Sequence, residues 1–385
     1  MLKIQPVHGI TELQALVPEW ERLIPSVIEP NVFYEPFMLL PAVVELGRNI
    51  VTLFVRSASG ELLGVFPLQR QFFPLAVPHY TVWKHPYCYL CTPLIRVGAE
   101  QAVLQAVFAW MARAGPSGAL LQFRLHPLSG PFDQALQRFV QANHRILHTS
   151  RYYERPLVQT TLSPEAYQLQ NVSSQKRKQL RRLRRRLSAS GTLAFQTLRS
   201  AEEMEQGISQ FIALEHKGWK GREGSSFASR PQDRAFLVAM VHQGALRGQV
   251  ELRVLSLNQT PIAMGLTLRS GRGAFAFKIA YDEDHAANSP GVLLDMEMFR
   301  ELLVDPGLSW VDSCSDPDYP MDDPQWGERR AIRVAHVSSA SWSGRALGAA
   351  GLQFQALAWS TKAWIKQLDP ELQERLKRFR RVLQA

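Results

Sequence analysis

Three things are scarce in this chain, and each scarcity removes a class of protein. Cysteine occurs only at Cys88, Cys91 and Cys314, an odd and sparse set that does not make a disulfide framework. Cys88-x-x-Cys91 has no second Cys or His pair at metal spacing, and its neighbours Tyr87, Tyr89 and Leu90 are those of an apolar strand, so no metal is expected. Long apolar runs are missing too: a bilayer span needs about 20 residues, and the best candidate, Val65–Val77, is interrupted by Pro67, Arg70 and Pro74. The opening Met-Leu-Lys-Ile-Gln-Pro lacks the apolar core of a secretory signal. These features place the protein in the cytoplasm, or peripheral to the inner face of the membrane. Acidic residues are absent between Asn171 and Ser190, where Lys176, Arg177, Lys178, Arg181, Arg182, Arg184, Arg185 and Arg186 crowd together.

What is present describes a globular protein. The 46% hydrophobic and 20% charged fractions are those of chains with a real core, and 385 residues are enough for two domains. The formal charge of +10 makes contact with a polyanion plausible, whether a nucleotide cofactor, RNA or an anionic membrane surface.

Two successive stretches have the same order of elements, without any residue-level repeat of fixed period. In the first, helices are expected over Glu12–Ile24 and Pro36–Leu46. Strands follow over Val51–Arg56 and Leu62–Arg70, paired across Ser59-Gly60, and near Cys88–Pro93. A helix (Glu100–Arg113), a strand (Ala119–Leu125), a helix (Phe132–Gln141) and one more strand complete it. Residues 163–190 form a helical connector, capped at Ser163 and stopped at Ser190-Gly191. Arg177, Arg181 and Arg184 share one of its faces, and Leu180, Leu183 and Leu187 another. This helix fits RNA, anionic headgroups, or a solvated face above packed leucines.

The second stretch has a strand at Phe195–Leu198, helices over Ala201–Lys217 and Arg234–His242, and three strands, Val250–Leu257, Pro261–Arg269 and Ala274–Tyr281, joined by tight turns. A helix from Pro290 to Val304 and a strand from Ser309 to Ser313 follow, and Arg345–Leu383 forms a last, amphipathic helical stretch. Hairpin-linked strands interleaved with helices make an α/β mixed sheet covered by helices.

Chemistry concentrates around Ala274–Leu303. Ser289-Pro290-Gly291 opens a helix after a strand and a polar loop, and the free N–H groups of a helix start attract anions such as pyrophosphate. Ser289 as a simple N-cap fits the same residues. Asp312 at a strand end, Asp282, His285 and Glu215 are candidate bases, and each also reads as a turn or cap carboxylate or a surface histidine. Trp219 with Lys220 and Arg222 makes either an aromatic floor with two cations for an anionic substrate, or a core tryptophan ending a helix.

The segments Phe277-Lys278-Ile279-Ala280-Tyr281-Asp282-Glu283 and Asn288-Ser289-Pro290-Gly291-Val292-Leu293-Leu294 resemble the core of the CelD-like acyltransferases of the GNAT superfamily. Trp219-Lys220-Gly221-Arg222 and Asp312-Ser313-Cys314-Ser315-Asp316-Pro317-Asp318-Tyr319-Pro320-Met321, with Trp326 and Arg329-Arg330, are similar to two further blocks of that family in the same order. Tyr319 stands where the third block carries His, and Asn-Ser-Pro-Gly replaces the usual Arg/Gln-x-x-Gly-x-Gly loop. The resemblance is strongest over residues 170–340 and extends, more weakly, to the two-domain organisation of the FemAB transferases. It implies tandem GNAT-like domains: an N-terminal domain over 1–160, a basic connector over 161–190, a donor-binding domain over 191–343 and a helical extension over 344–385. It also implies a donor, acetyl-CoA or a longer acyl-CoA, held by Ile279, Ala280, Asn288, Ser289, Gly291 and Val292. The acceptor would meet Trp219, Lys220, Arg222, Asp316, Tyr319 and Trp326. The implied activity is N-acyl transfer from acyl-CoA to an amine, with Asp312 as the first choice of base. Aminoacyl-tRNA as donor, gripped by the basic helix, and a silent adaptor at a membrane-bound synthesis complex are the alternatives.

Overall fold

The computed structural model describes residues 2–72, 78–315, 325–340 and 346. The extension from 344 onward therefore lies outside the described residues, apart from residue 346, as do Asp316 and Tyr319.

The first half comprises β1 (Lys3–Val7), α1 (Ile10–Ala15), α2 (Val17–Leu23), α3 (Pro36–Leu46), β2 (Ile50–Arg56), β3 (Leu62–Phe72), β4 (Pro78–Val82) and β5 (Leu94–Ile95). It ends with α4 (Glu100–Ala112), β6 (Leu120–Pro127), α5 (Pro131–Ala142) and β7 (Leu147–Val158). Two helices connect the halves, α6 (Pro164–Asn171) and α7 (Ser174–Ala189), started by the side chains of Ser163 and Ser173, which accept from Ala166 N and Lys176 N. The second half runs β8 (Leu193–Leu198), α8 (Ala201–Lys217), α9 (Trp219–Arg222), α10 (Pro231–Ala245), β9 (Val250–Leu257), β10 (Thr260–Ser270), β11 (Gly273–Tyr281), α11 (Pro290–Leu302), β12 (Trp310–Asp312) and β13 (Glu328–Ser338). Local chemistry explains the sharpest boundaries. Ser200 and Glu203 make a reciprocal capping box for α8, and the β9–β10 turn places Asn258 and Gln259 both at positive φ, the twist a two-residue hairpin needs.

Two expectations change. The first helix is two, because Pro18, which has no N–H to donate, opens a fresh helix after the break at Leu16. Cys88–Pro93 is not a strand but an irregular buried segment, tied to the sheet by Cys91 N donating to Leu125 O.

All strands of the described residues join one sheet, in the order β1-β2-β3-β4-β6-β13-β7-β12-β11-β10-β9-β8, with β5 attached to β3. Each half contributes four antiparallel strands, then a parallel neighbour reached through a helix: β4 beside β6 through α4, and β11 beside β12 through α11. The halves then exchange their last strands. β13 pairs with β6, β7 pairs with β12, and β7 and β13 pair with each other. One apolar core continues across the exchange, bringing Phe33 and Phe37 together with Phe236, Phe275 and Phe277. Helices α3 and α10 approach closely there: a Cβ at Gly244 would lie within 2.8 Å of Phe37.

Candidate functional site

β11 is paired along its length with β10, but its other edge meets β12 only over Gly273–Phe275. Beyond that the β12 chain turns away, with Cys314 at positive φ, and among the described residues no strand pairs with the edge of β11 from Ala276 to Tyr281. The carbonyl of Ile279 accepts from Lys220 Nζ at 3.4 Å, which shows that this residue's peptide edge faces the opening. In extended backbone the N–H of a residue points to the same side as its C=O, so the Ile279 N–H also points into the cleft.

The alternation of β11 is broken. Lys278 lies opposite Leu266 and Ala276 opposite Thr267, so Phe277 is an extra residue, a β-bulge. Strict alternation would place Lys278 on the α11 face. The bulge instead keeps it on the face of Phe275 and Phe277, where its Nζ donates to Tyr89 Oη at 2.6 Å. The ammonium lies 5.2–5.9 Å from the ring centroids of Tyr87, Tyr89, Phe227 and Phe277. An aromatic cage of this kind stabilises a cation while stripping its water. Ile279 is turned the other way, against the cluster of Leu180 and Leu293.

At the end of β11 the mouth of the cleft is built by α11. Ser289 does not cap it: its φ is 49° and its side chain makes no cap bond. The N–H groups of Gly291 and Val292 precede the first intrahelical bond and face outward. Gly291 sits over the strand, where an added Cβ would be 3.4 Å from Ile279 and 3.7 Å from Tyr281. Asn288 Oδ1 is buried without a hydrogen-bond partner.

The polar groups singled out in the sequence are mostly engaged with one another. Asp282 accepts from Lys217 Nζ at 2.8 and 2.9 Å and from Asp284 N. Desolvation pushes its carboxyl up, yet Lys217 and the Asp284 N–H together hold it below the usual carboxylate range, the opposite of what a base needs. Arg222 pairs with Glu283, which also accepts from Trp219 N. Glu215 is buried, accepting from Lys220 Nζ at 2.8 Å and Phe227 N at 2.9 Å. The pair of cations expected for an anionic substrate is thus already neutralised within the protein. Trp219 is 41% exposed, so it is a surface platform rather than a core residue. His285 is half-buried in the loop before α11.

Asp312 needs a larger revision. It is fully buried; Oδ1 accepts from Cys314 N (2.8 Å) and Arg155 (3.4 Å), and Oδ2 from Arg330 (3.2 Å). Both oxygens are engaged, by two arginines and the Cys314 N–H, and what they fix is the turn that walls the cleft. Trp326 is 1% exposed and packs on Phe299, so it is a wall residue of the same region. Nothing in the sequence singles out Lys278, because only the bulge reveals which way it points.

Among the described residues no cluster could hold a metal ion, and no helix is long and apolar enough to cross a membrane.

Residues 174–319 match the family model described as an acetyltransferase (GNAT) domain. No curated protein matches the sequence significantly. Among solved structures, the chain is similar to FemX at a TM-score of 0.58 and 10% identity, covering 86% of this chain and 96% of that one. A conserved protein of unknown function from Bacteroides thetaiotaomicron aligns at 0.58 and 7% identity, over 88% and 100% of the two chains. The C-terminal domain of a putative lysylphosphatidylglycerol synthetase from Agrobacterium fabrum aligns at 0.51 and 13%, over 90% and 97%. Residues 174–319 therefore match a GNAT-type domain, and the chain as a whole shares its fold with FemX.

Proposed function

We propose that this protein is an N-acyltransferase that moves an acyl group from acyl-coenzyme A directly to an amine. The observation that carries this reading is the open, bulged edge of β11 leading to the free N-terminus of α11. The donor's pyrophosphate would lie at Asn288, Ser289, Gly291 and Val292, and its thioester beside Ile279 and Ala280. The Ile279 N–H and the caged Lys278 ammonium would then meet the carbonyl oxygen as negative charge develops on it. The amine lone pair attacks the carbonyl carbon, the tetrahedral oxyanion collapses, the C–S bond breaks, and the departing thiolate takes up the proton that the amine loses. Holding the two reactants in the cleft supplies much of the acceleration. Asp312 serves by fixing the Ser313–Ser315 wall, and Trp219 offers its exposed ring to the acceptor. The match of 174–319 to the acetyltransferase model supports the reading.

Titration calorimetry with coenzyme A and acetyl-CoA tests it, together with Lys278→Met. That variant should lower kcat/KM by about 10²–10³, the usual cost of one oxyanion donor, with coenzyme A affinity little changed. No binding of coenzyme A or its thioesters would refute the proposal.

A second reading, transfer from aminoacyl-tRNA, is favoured by the exposed row of α7. Lys178, Arg181, Arg182, Arg184 and Arg185 line an open groove there, of which Arg184 reaches Glu297 at 2.5 Å. The same row fits an anionic membrane surface. Copurifying RNA, lost steeply with salt, would favour the tRNA donor.

A further inference from the structure

The cleft does not end at the thioester. Past Ile279 it passes between β11 and Ser313–Ser315 and opens on the α11 side of the sheet into a chamber, the inner part of a cavity of about 430 Å³ that also takes in the cleft at Tyr89, Trp219, Lys220, Lys278 and Ile279. Its far walls are largely apolar and partly made by small residues. Ala276 and Thr267 are paired across β10 and β11 and face α11, where Thr267 Oγ1 meets Met298 Sδ at 3.8 Å. Gly265 lies on the same face, and a Cβ there would already press on Leu294 at 3.3 Å. Trp326 closes the chamber against Phe299. Arg253 forms a polar end and is satisfied within the protein, by Glu251, Glu301 and Thr267.

An acetyl methyl group fills about as much space as one water, roughly 30 Å³, and would sit beside Ile279, so acetyl transfer leaves the inner part lined by Gly265, Thr267, Ala276, Met298 and Trp326 without a use. Position decides what fits. From Gly291 the order along β11 is Tyr281, Ile279, then Ala276, so a donor anchored at the helix start with its thioester at Ile279 directs its acyl group at the chamber. We infer that the chamber is the acyl-chain site, and that the donor carries a flexible chain of several methylenes rather than an acetyl group. Gly265 and Ala276 set its capacity: a larger side chain at either position occupies the volume the chain would take. This inference rests on the acyl-CoA reading above and adds the class of acyl group to it.

The test is a binding series on the full chain with coenzyme A, acetyl-CoA, butanoyl-CoA and octanoyl-CoA. Each buried methylene should tighten binding about fourfold until the chamber is full, so octanoyl-CoA should bind at least about a hundredfold tighter than acetyl-CoA. In Ala276→Leu the advantage of octanoyl-CoA should largely disappear while coenzyme A itself binds as before. Gly265→Ala, a smaller intrusion, should shorten the preferred chain. Equal affinity of the wild type for all four would overturn the inference and leave the acyltransferase reading standing. Absence of binding by coenzyme A and every thioester would overturn both. Should both variants fail to fold, the wild-type series alone decides.

Discussion

Replacing Asp312 by Asn removes one negative charge from between two guanidiniums and alters little else, since the amide oxygen can still accept from Cys314 N. Arg155 and Arg330 are directly opposite each other on β7 and β13. Their side chains are 1% and 15% exposed, and that of Asp312 is 0% exposed. Without the carboxylate, two like charges face each other out of water. Removing one partner of a buried pair typically costs about 3–5 kcal/mol. For a chain of 385 residues, with an unfolding entropy of about 2 cal/mol/K per residue, that loss lowers Tm by about 4–6 °C. Because β7, β12 and β13 are where the halves exchange strands, the loss should appear in the main unfolding transition. Thermal and urea melts followed by circular dichroism measure it, beside steady-state turnover on an amine acceptor well below the melting range. Turnover there should fall by less than about tenfold. An unchanged melting point with turnover down by two to four orders of magnitude would refute this reasoning and make Asp312 the general base.

Gly291→Trp and Gly291→Glu should abolish coenzyme A binding in calorimetry while shifting Tm by no more than about 2 °C, since bulk or negative charge would stand at the open helix start; unchanged affinity would remove the donor from this position. Neutralising Arg181, Arg182, Arg184 and Arg185 together should weaken binding to RNA or anionic vesicles and flatten its salt dependence. It should cost only a few degrees in Tm, because exposed pairs such as Arg184–Glu297 add little. Glu35 joins the halves by accepting from Ser270 Oγ and Gln249 Nε2, and burial pushes its carboxyl from 4.5 up to about 7 against those bonds. A raised folded pKa means that the folded state keeps a proton the unfolded chain has lost. Wild-type stability should therefore fall between pH 4.5 and about 7, by about 3 kcal/mol in total for this group, and stay low above. In Glu35→Gln that component should vanish, leaving the variant the more stable of the two at about pH 8; parallel pH profiles in urea melts would contradict the assignment.

Local signals in the sequence carried far. Ala201–Lys217 and Val250–Leu257 have the expected bounds, because a capping box and a two-residue turn are written in consecutive residues. The strand-loop-helix unit from β11 to α11 was legible for the same reason. The strands β1, β4 and β13 were not expected, and β13 depends on partners about 200 positions away in β6 and β7. Asp312 was legible as a strand end, but its arginines lie 157 and 18 residues distant, so its neighbours could not be read. Lys278 illustrates the remaining limit. A period of two assigns a side chain to a face only while the ladder is regular, and one inserted residue reverses every assignment after it.

The exchanged sheet also explains why, among the described residues, the first half has no cleft like that of the second. In the first half β4 and β6 pair in parallel over Tyr80–Thr81 and Leu121–Gln122, as β11 and β12 do in the second. The space beyond is occupied by the chain itself: Cys91 N donates to Leu125 O of β6, and Cys88, Leu90 and Cys91 are buried there. At the start of α4, the position matching the free end of α11, the Glu100 carboxylate accepts from Gly98 N and sets a negative charge where an anion would have to bind. A phosphate would thus be repelled from the start of α4. The segment that fills the first cleft is the one that carries Tyr87 and Tyr89 to Lys278. Closing one half's cleft and caging the cation of the other are consequences of a single stretch of chain, residues 83–91, so a change that loosens its packing should disturb the second half's site before it unfolds the first.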